Sequence, residues 1–250
     1  MPLGKLVIVA VVFLLTSSIS VVTGSTSLIT VPVLIAFGIE PHVAVATNML
    51  ALVFMSAGGS LPFAKKGVIE RRILPLGISL TVLGSAVGAF LLLSIPTGAL
   101  QLTIAAAMIA VAVFSLLRHD RESGQRPVTS ASQAGGYLLT FALAVYGGLF
   151  SGGYVTMLTA VFVFLLGLSF LQAVATTKVI NLFSSLVATA IFAIRGVGEY
   201  RLGLILGLVM FVGAVVGGHV AMRLSATWLR RIFVIAVIAL AAKMLFSVLR

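Results

Sequence analysis

Phe63-Ala64-Lys65-Lys66-Gly67-Val68-Ile69-Glu70-Arg71-Arg72 returns later in the chain as Phe192-Ala193-Ile194-Arg195-Gly196-Val197-Gly198-Glu199-Tyr200-Arg201. Moving outward from this loop, one ungapped shift of about 129 residues keeps finding matches. It carries Gly24 onto Gly153, Thr30 onto Thr159 and Gly38 onto Gly167. It carries Ala44-Val45-Ala46-Thr47 onto Ala173-Val174-Ala175-Thr176, and Gly84, Val87 and Gly88 onto Gly213, Val216 and Gly217. Roughly 18 identities in about 65 aligned positions, many of them glycine or charged, exceed what shared apolar composition produces. The chain is therefore a duplication: residues 1–117 form a first transmembrane repeat, 118–134 a polar connector and 135–250 a second transmembrane repeat.

Composition sets the class of both halves. Apolar residues make up 61% of the chain and charged residues 8%, against about 25% charged in ordinary soluble proteins. A soluble globule still exposes a large surface and cannot hide so much apolar area. A bilayer can, because each apolar run of about 20 residues spans it as a helix. The expectation is an all-α, polytopic transmembrane helix bundle, each half opening with a glycine-broken helix.

The net charge of +11 does not point to nucleic acid. Its residues form short clusters between apolar runs, as in Lys65-Lys66, Arg71-Arg72 and Arg118-His119-Asp120-Arg121. Such clusters hold the orientation of a membrane protein and touch anionic lipid. Trp228 beside Arg230 and Arg231 reads as an interfacial anchor, and Lys243 as a residue that snorkels. With no cysteine, disulfides, thiolate metal sites and thiol nucleophiles are excluded. The first apolar run is too long for a signal peptide, and its counterpart recurs in mid-chain.

In the first half, apolar runs are expected near 5–22, 28–37, 41–63, 73–93 and 100–117; in the second, near 135–151, 154–167, 170–193, 202–222 and 228–249. Pro41 suits the first turn of a helix, and Ser169 with Gln172 has the spacing of a capping box. The opening segment of each half, about 33 residues, would make roughly 50 Å of continuous helix, too long for a membrane core of about 30 Å. It must break, at Gly24 in one half and at Gly152-Gly153 in the other. Two arrangements follow. If each broken segment crosses once, there are about 8 spans and parallel repeats, which the Lys/Arg distribution slightly favours. If each turns back as a hairpin, there are 10 spans and the repeats are inverted.

Interrupted segments at matching places in two repeats point to a transporter's binding site. A helix starting in mid-membrane offers free N–H groups and a partial positive charge, which suit an anion. Hydroxyls flank both breaks: Thr23, Ser25, Thr26 and Ser27 in one, Ser151, Tyr154 and Thr156 in the other. The alternative is that the glycines only let helices pack closely. In the helices that follow, Thr47-Asn48 aligns with Thr176-Thr177, and Lys178, Asn181 and Ser185 share one face. Lys178 lies deep in an apolar run with no acidic residue near it in sequence. A buried charge needs a partner: either a bound anion or carbonyls at a broken helix end.

The substrate-binding candidates are therefore Thr23, Gly24, Ser25, Thr26, Thr47, Asn48, Ser151, Gly152, Gly153, Tyr154, Thr176, Thr177, Lys178 and Asn181. No catalytic residue, metal site or cofactor is expected. The five acidic residues, Glu40, Glu70, Asp120, Glu122 and Glu199, all lie in or beside loops, which argues against cation transport and a carboxylate proton relay. Proton coupling stays open through His42 and His219, both of which also suit interfacial positions. Homo-oligomerisation stays open too, since the paired glycines at 84/88 and 213/217 pack helices equally well within or between chains.

The order and spacing of these elements resemble the sulfite exporter (TauE/SafE-like) family of bacterial membrane permeases. Each half has a glycine break, a short apolar run to Gly, Ala-x-Ala-Thr, a Gly-Val-x-Glu-x-Arg loop and a Gly-x-x-x-Gly helix, from Gly24 to Gly88 and from Gly153 to Gly217. The resemblance implies a small anionic substrate, such as sulfite, a sulfonate or sulfoacetate, carried across the bacterial cytoplasmic membrane. The family's first break is usually richer in glycine than Thr23-Gly24-Ser25-Thr26-Ser27, and the hydroxyls here could hold an oxyanion through side chains. Two other classes compete. An intramembrane enzyme would need a constellation of reactive groups at membrane depth, and none is present in sequence. An assembly partner of another membrane complex would not need Lys178.

Overall fold

The computed structural model describes residues 3–117 and 128–221. Among these residues there are nine α-helices and no strand. In the first repeat they are α1 (Leu3–Thr23), α2 (Ser27–Ala36), α3 (Pro41–Lys65), α4 (Leu74–Ser94) and α5 (Thr97–Leu117). In the second they are α6 (Ser130–Leu149), α7 (Tyr154–Phe164), α8 (Phe170–Ile194) and α9 (Tyr200–Ala221). Five of them, α1, α3, α4, α8 and α9, are long and apolar enough to cross a membrane. The run expected near 228–249, with Trp228, Arg230, Arg231 and Lys243, lies outside the described residues, as do Asp120 and Glu122.

Local chemistry sets the helix ends. Glu40 precedes α3 and accepts a hydrogen bond from the Val43 N–H at 3.1 Å, with Pro41 in the first turn where no intrahelical N–H is required. Ser169 and Gln172 form the capping box of α8. Thr129 caps α6 by accepting from Ser132 N at 3.1 Å, so this helix begins at Ser130, within the stretch read as connector.

Both opening segments break where the length argument requires. α1 stops at Thr23 and the chain turns through Gly24 at φ 74°; α6 stops at Leu149 and α7 starts after Gly153 at φ 83°. Both angles lie in the left-handed region, where a side chain costs about 1–2 kcal/mol. The resumed helices α2 and α7 have 10 and 11 residues, roughly 15–17 Å at 1.5 Å per residue, about half the hydrocarbon thickness.

The packing fixes the direction of each helix. Along α3 and α9 the neighbours advance together, Leu50 against Gly203, Phe54 against Gly207 and Pro62 against Gly218, so the two are parallel. α1 and α9 are parallel as well, with Gly213 against Ser17 and Gly217 against Ser18. Hence α1 and α3 point the same way, and α2 must return between them. It does: Thr26 meets Met55 and Thr30 meets Asn48, an antiparallel pairing. α3 and its counterpart α8 run in opposite directions, Thr47 meeting Glu199, Ser56 meeting Asn181 and Glu70 meeting Thr176. The repeats are therefore inverted and each broken segment turns back, against the slight lean of the charge distribution. Loop charges weigh on topology weakly where they are few, whereas a 25-residue helix packed along its length admits one direction only.

The paired glycines hold this arrangement inside one chain. Gly84 and Gly88 of α4 sit against the α6 backbone at Phe141 and Val145, and Gly213 and Gly217 of α9 against α1 at Leu14 and Ser18. Without Cβ atoms the backbones come close enough for dispersion contacts, which drive helix association in a solvent as apolar as the helices.

Candidate functional site

The two breaks meet at the centre of the bundle. A Cβ placed on Gly24 would lie 2.9 Å from Val155 Cγ1 and 3.0 Å from the Thr156 nitrogen, in the first turn of α7. Ser25 Oγ and Thr156 Oγ1 are 2.5 Å apart, and Leu28 of α2 packs against Gly152. The N-termini of α2 and α7 thus come together in mid-bundle, with part of each first turn already closed, Leu28 N onto Ser25 O, Ile29 N onto Thr26 O and Tyr154 N onto Ser151 O. Ser25, Thr26, Ser27 and Ser151 are all buried there. Thr23 ends α1, and its side chain lies outside the described residues.

α2 and α7 are tied to the long helices in equivalent ways. Thr30 donates to Asn48 Oδ1 at 2.7 Å and Asn48 Nδ2 donates to Ser27 Oγ at 2.9 Å. In the other repeat the hydroxyls of Thr159 and Thr177 are 3.2 Å apart. Asn48 and Thr177 therefore lie beside the breaks and support them.

Lys178 reaches the same region from α8. Its Nζ donates to the Ser20 carbonyl at 3.2 Å, and that carbonyl also accepts from Gly24 N at 2.8 Å. The side chain is buried, at 3% exposure. Among the described residues no carboxylate pairs with it. Of the two partners left open by the sequence, the carbonyl of a broken helix end is present here. A cation at a helix C-terminus gains about 0.3–1 kcal/mol, and about 2 kcal/mol in favourable buried geometry. Burying an ion costs several kcal/mol. The carbonyl alone leaves a deficit, and the ammonium has two further N–H donors.

One turn along α8, Asn181 Nδ2 donates to Ser56 Oγ of α3 at 2.7 Å. Its Oδ1 has no hydrogen-bond partner among the described residues, nor do the buried hydroxyls of Ser20 and Ser185. Orphaned buried polar groups cost about 1–3 kcal/mol each; Ser20 adjoins Lys178 through its carbonyl, and Asn181 and Ser185 follow Lys178 one and two turns along α8.

Other expected residues are used elsewhere. Tyr154 is fully buried, but its ring packs on Gly147 and its hydroxyl lies 3.4 Å from Thr81 Oγ1 of α4, away from the meeting of the breaks. Gly152 offers its carbonyl to Tyr146 Oη at 2.5 Å. Thr47 and Thr176 accept from the backbone N–H groups of Glu199 and Glu70, at 2.9 and 3.0 Å. Sequence reasoning did not place Ser20 or Ser56 at the site. Ser56 carried a usable signal, since it is the repeat counterpart of Ser185. Ser20 carried none, because its counterpart is Leu149. Among the described residues no group of three or more His, Cys, Asp or Glu could hold a metal ion.

The comparisons with known proteins agree in kind. The model of the family described as sulfite exporter TauE/SafE matches residues 9–244. A probable membrane transporter protein, ORF9, of Sinorhizobium sp. is 30% identical over 229 residues, 90% of this chain and 86% of its own. A probable membrane transporter protein of Haemophilus influenzae is 27% identical over 231 residues, 92% and 91% of the two chains. The probable membrane transporter protein YfcA of Escherichia coli K12 is 26% identical over 250 residues, covering 98% and 90%. No solved structure matches the chain.

Proposed function

The chain belongs to the sulfite exporter TauE/SafE family of membrane transporters, and from that premise we propose that it carries a small anion, sulfite, a sulfonate or a related organic anion, through the site where its two breaks meet. The inverted repeats supply alternating access by rocking against each other about this midplane site, as inverted-repeat transporters do. We place the protein in the bacterial cytoplasmic membrane, acting as a permease rather than an enzyme.

One observation carries this reading. Lys178 is a buried amine held, among the described residues, by a single carbonyl, near orphaned hydroxyls at Ser20 and Ser185 and two helix N-termini. A monovalent or divalent oxyanion would answer the amine, the two orphaned hydroxyls and the helix ends, whereas Asn181 Oδ1, an acceptor, would need a donor such as water. It would neutralise the ammonium, accept from the Ser20 and Ser185 hydroxyls, and sit at the positive ends of α2 and α7. A cation would find a buried amine and the positive helix ends, with no carboxylate beside them among the described residues.

The test is flux of radiolabelled sulfite and of a small sulfonate into proteoliposomes, with the wild type and Lys178→Met side by side. Saturable flux lost in the variant is the expected result, by a factor of at least 10–100 if a charge-assisted contact of about 1.5–3 kcal/mol is removed. Flux that survives unchanged would discard the site and keep the transporter. A protein serving only as an assembly partner would show no flux in either form.

A further inference from the structure

Thr47 and Thr176 are equivalent residues of the two repeats, both fully buried, and neither points at the central site. Each hydroxyl accepts a hydrogen bond from a loop of the opposite repeat, Thr47 from Glu199 N at 2.9 Å and Thr176 from Glu70 N at 3.0 Å. The loops are the repeated Gly-Val-x-Glu-x-Arg motif, which the binding site does not use. Each leaves its helix identically. Gly67 and Gly196 have φ 65° and 68°, and Val68 N and Val197 N return to Phe63 O and Phe192 O. This turn, with a left-handed glycine and a bond closing six residues, aims the Glu N–H at the threonine across the repeat boundary.

Because α3 and α8 are antiparallel and each is 25 residues long, about 37 Å, the two bonds lie at opposite faces of the membrane. Each closes the seam between the repeats at one face. Outside the Glu70–Thr176 bond lies a cleft of ≈ 280 Å³ with a mixed lining, polar at Glu70, Arg72, Gln133 and Gln172 and apolar at Ile73, Leu166 and Leu168. It ends one helical turn short of Thr176, at Gln172.

Resting on the transport reading above, we propose that Thr47 and Thr176 are paired gate residues: opening toward either face breaks one threonine–loop hydrogen bond and keeps the other, and the cleft at Glu70 and Arg72 is the vestibule of the Thr176 gate. Both bonds are made here, so this conformation is closed at both ends. The two bonds are chemically identical, which lets either face open for a similar cost. A net hydrogen bond of about 0.5–1.5 kcal/mol is weak enough to break thermally and strong enough to bias which face is open.

The chain has no cysteine, so a single Ser185→Cys reporter at mid-bundle reads access without background. A membrane-impermeant thiol reagent is applied to each face of sealed vesicles in turn. Thr176→Val should raise labelling from the face bearing residues 66–72 by about two- to tenfold and leave the other face unchanged. Thr47→Val should do the reverse. Thr176→Ser and Thr47→Ser keep the acceptor oxygen and should label like the parent. If a valine variant does not assemble, the alanine variant removes the same hydroxyl and is read in the same way. Equal labelling from both faces, serine variants behaving like valine, or no change at all would each overturn the gates. Labelling, read in the Ser185→Cys chain, requires no substrate, and flux is read separately in the same threonine variants with Ser185 kept. Lost selectivity with intact sulfite flux therefore counts against the gates alone, and face-selective labelling without sulfite or sulfonate flux counts against the substrate reading alone.

Discussion

Lys178 on α8 and Met49 on α3 occupy equivalent places in the two repeats, as do Asn181 and Leu52, and Leu149 and Ser20. Inversion would make two half-sites, yet all of the charge and most of the polarity lie on one of them. The proposed path is therefore symmetric in backbone and asymmetric in chemistry. Moving the amine to the other half-site tests this: Met49→Lys in a Lys178→Met background should not restore flux, since Leu149 and Leu52 offer no polar neighbours. At the membrane edge, burial alone would raise the Glu40 carboxyl, but hydrogen bonds from the His42 side chain and the Val43 N–H, the His42 charge and the Thr97 hydroxyl outweigh it, so it lies below its usual value. A carboxylate lowered by folding adds stability that is present above its unfolded range and disappears as pH falls through its folded value. The melting temperature of Glu40→Gln should accordingly lie below that of the wild type at neutral pH and converge on it as the solution is acidified. The half-exposed position of Glu40 keeps the effect small.

At the scale of elements, the broken segments are intelligible from length alone, because no bilayer accommodates roughly 50 Å of apolar helix upright. The position of each break follows from which residue tolerates a left-handed backbone. Gly24→Ala meets two penalties, the left-handed cost of about 1–2 kcal/mol and a Cβ at 2.9 Å from Val155 and 3.0 Å from the Thr156 nitrogen. It should lower thermal stability in detergent and reduce flux together, because the same atom separates the two breaks. Gly88→Ala acts on a different interface. Its Cβ would fall on the Val145 carbonyl of α6, so α4 and α6 must move apart. Overpacking costs about 1–3 kcal/mol, to be read as a lower melting temperature. The corresponding Gly217→Ala, against Ser18 of α1, should cost a similar amount.

For the whole molecule, the inverted arrangement places the loop after α3 and the loop after α8 on opposite faces. Lys66→Cys and Arg195→Cys, made separately in the cysteine-free chain, should react with an impermeant thiol reagent from opposite sides of the membrane. Labelling from the same side would mean parallel repeats and would remove the basis of both the alternating-access reading and the paired gates. The glycine pairs that the sequence left free to act within or between chains act within this one, α4 on α6 and α9 on α1. Each repeat thereby lends its last described long helix to the other's opening helix, and neither could bury its glycine face alone.

Composition was enough to establish a polytopic helical membrane protein, because apolar run length is a property of the chain itself, and self-similarity supplied the expectation of two halves. Helix starts were legible where they are local: Pro41 in the first turn of α3 and the capping box of Ser169 with Gln172 involve groups only a few residues apart. The breaks at Gly24 and Gly152-Gly153 followed from length and backbone tolerance. The direction in which each repeat runs did not, because it depends on which helix faces packed against which, and loop charge is a weak proxy for that. Nor could sequence tell that Tyr154 turns to Thr81, that Lys178 meets the end of α1, or that Thr47 and Thr176 serve loops of the opposite repeat. Those partners lie 73, 158, 152 and 106 residues away, and a side chain's partner at such separation is decided only when the helices carrying both ends have packed.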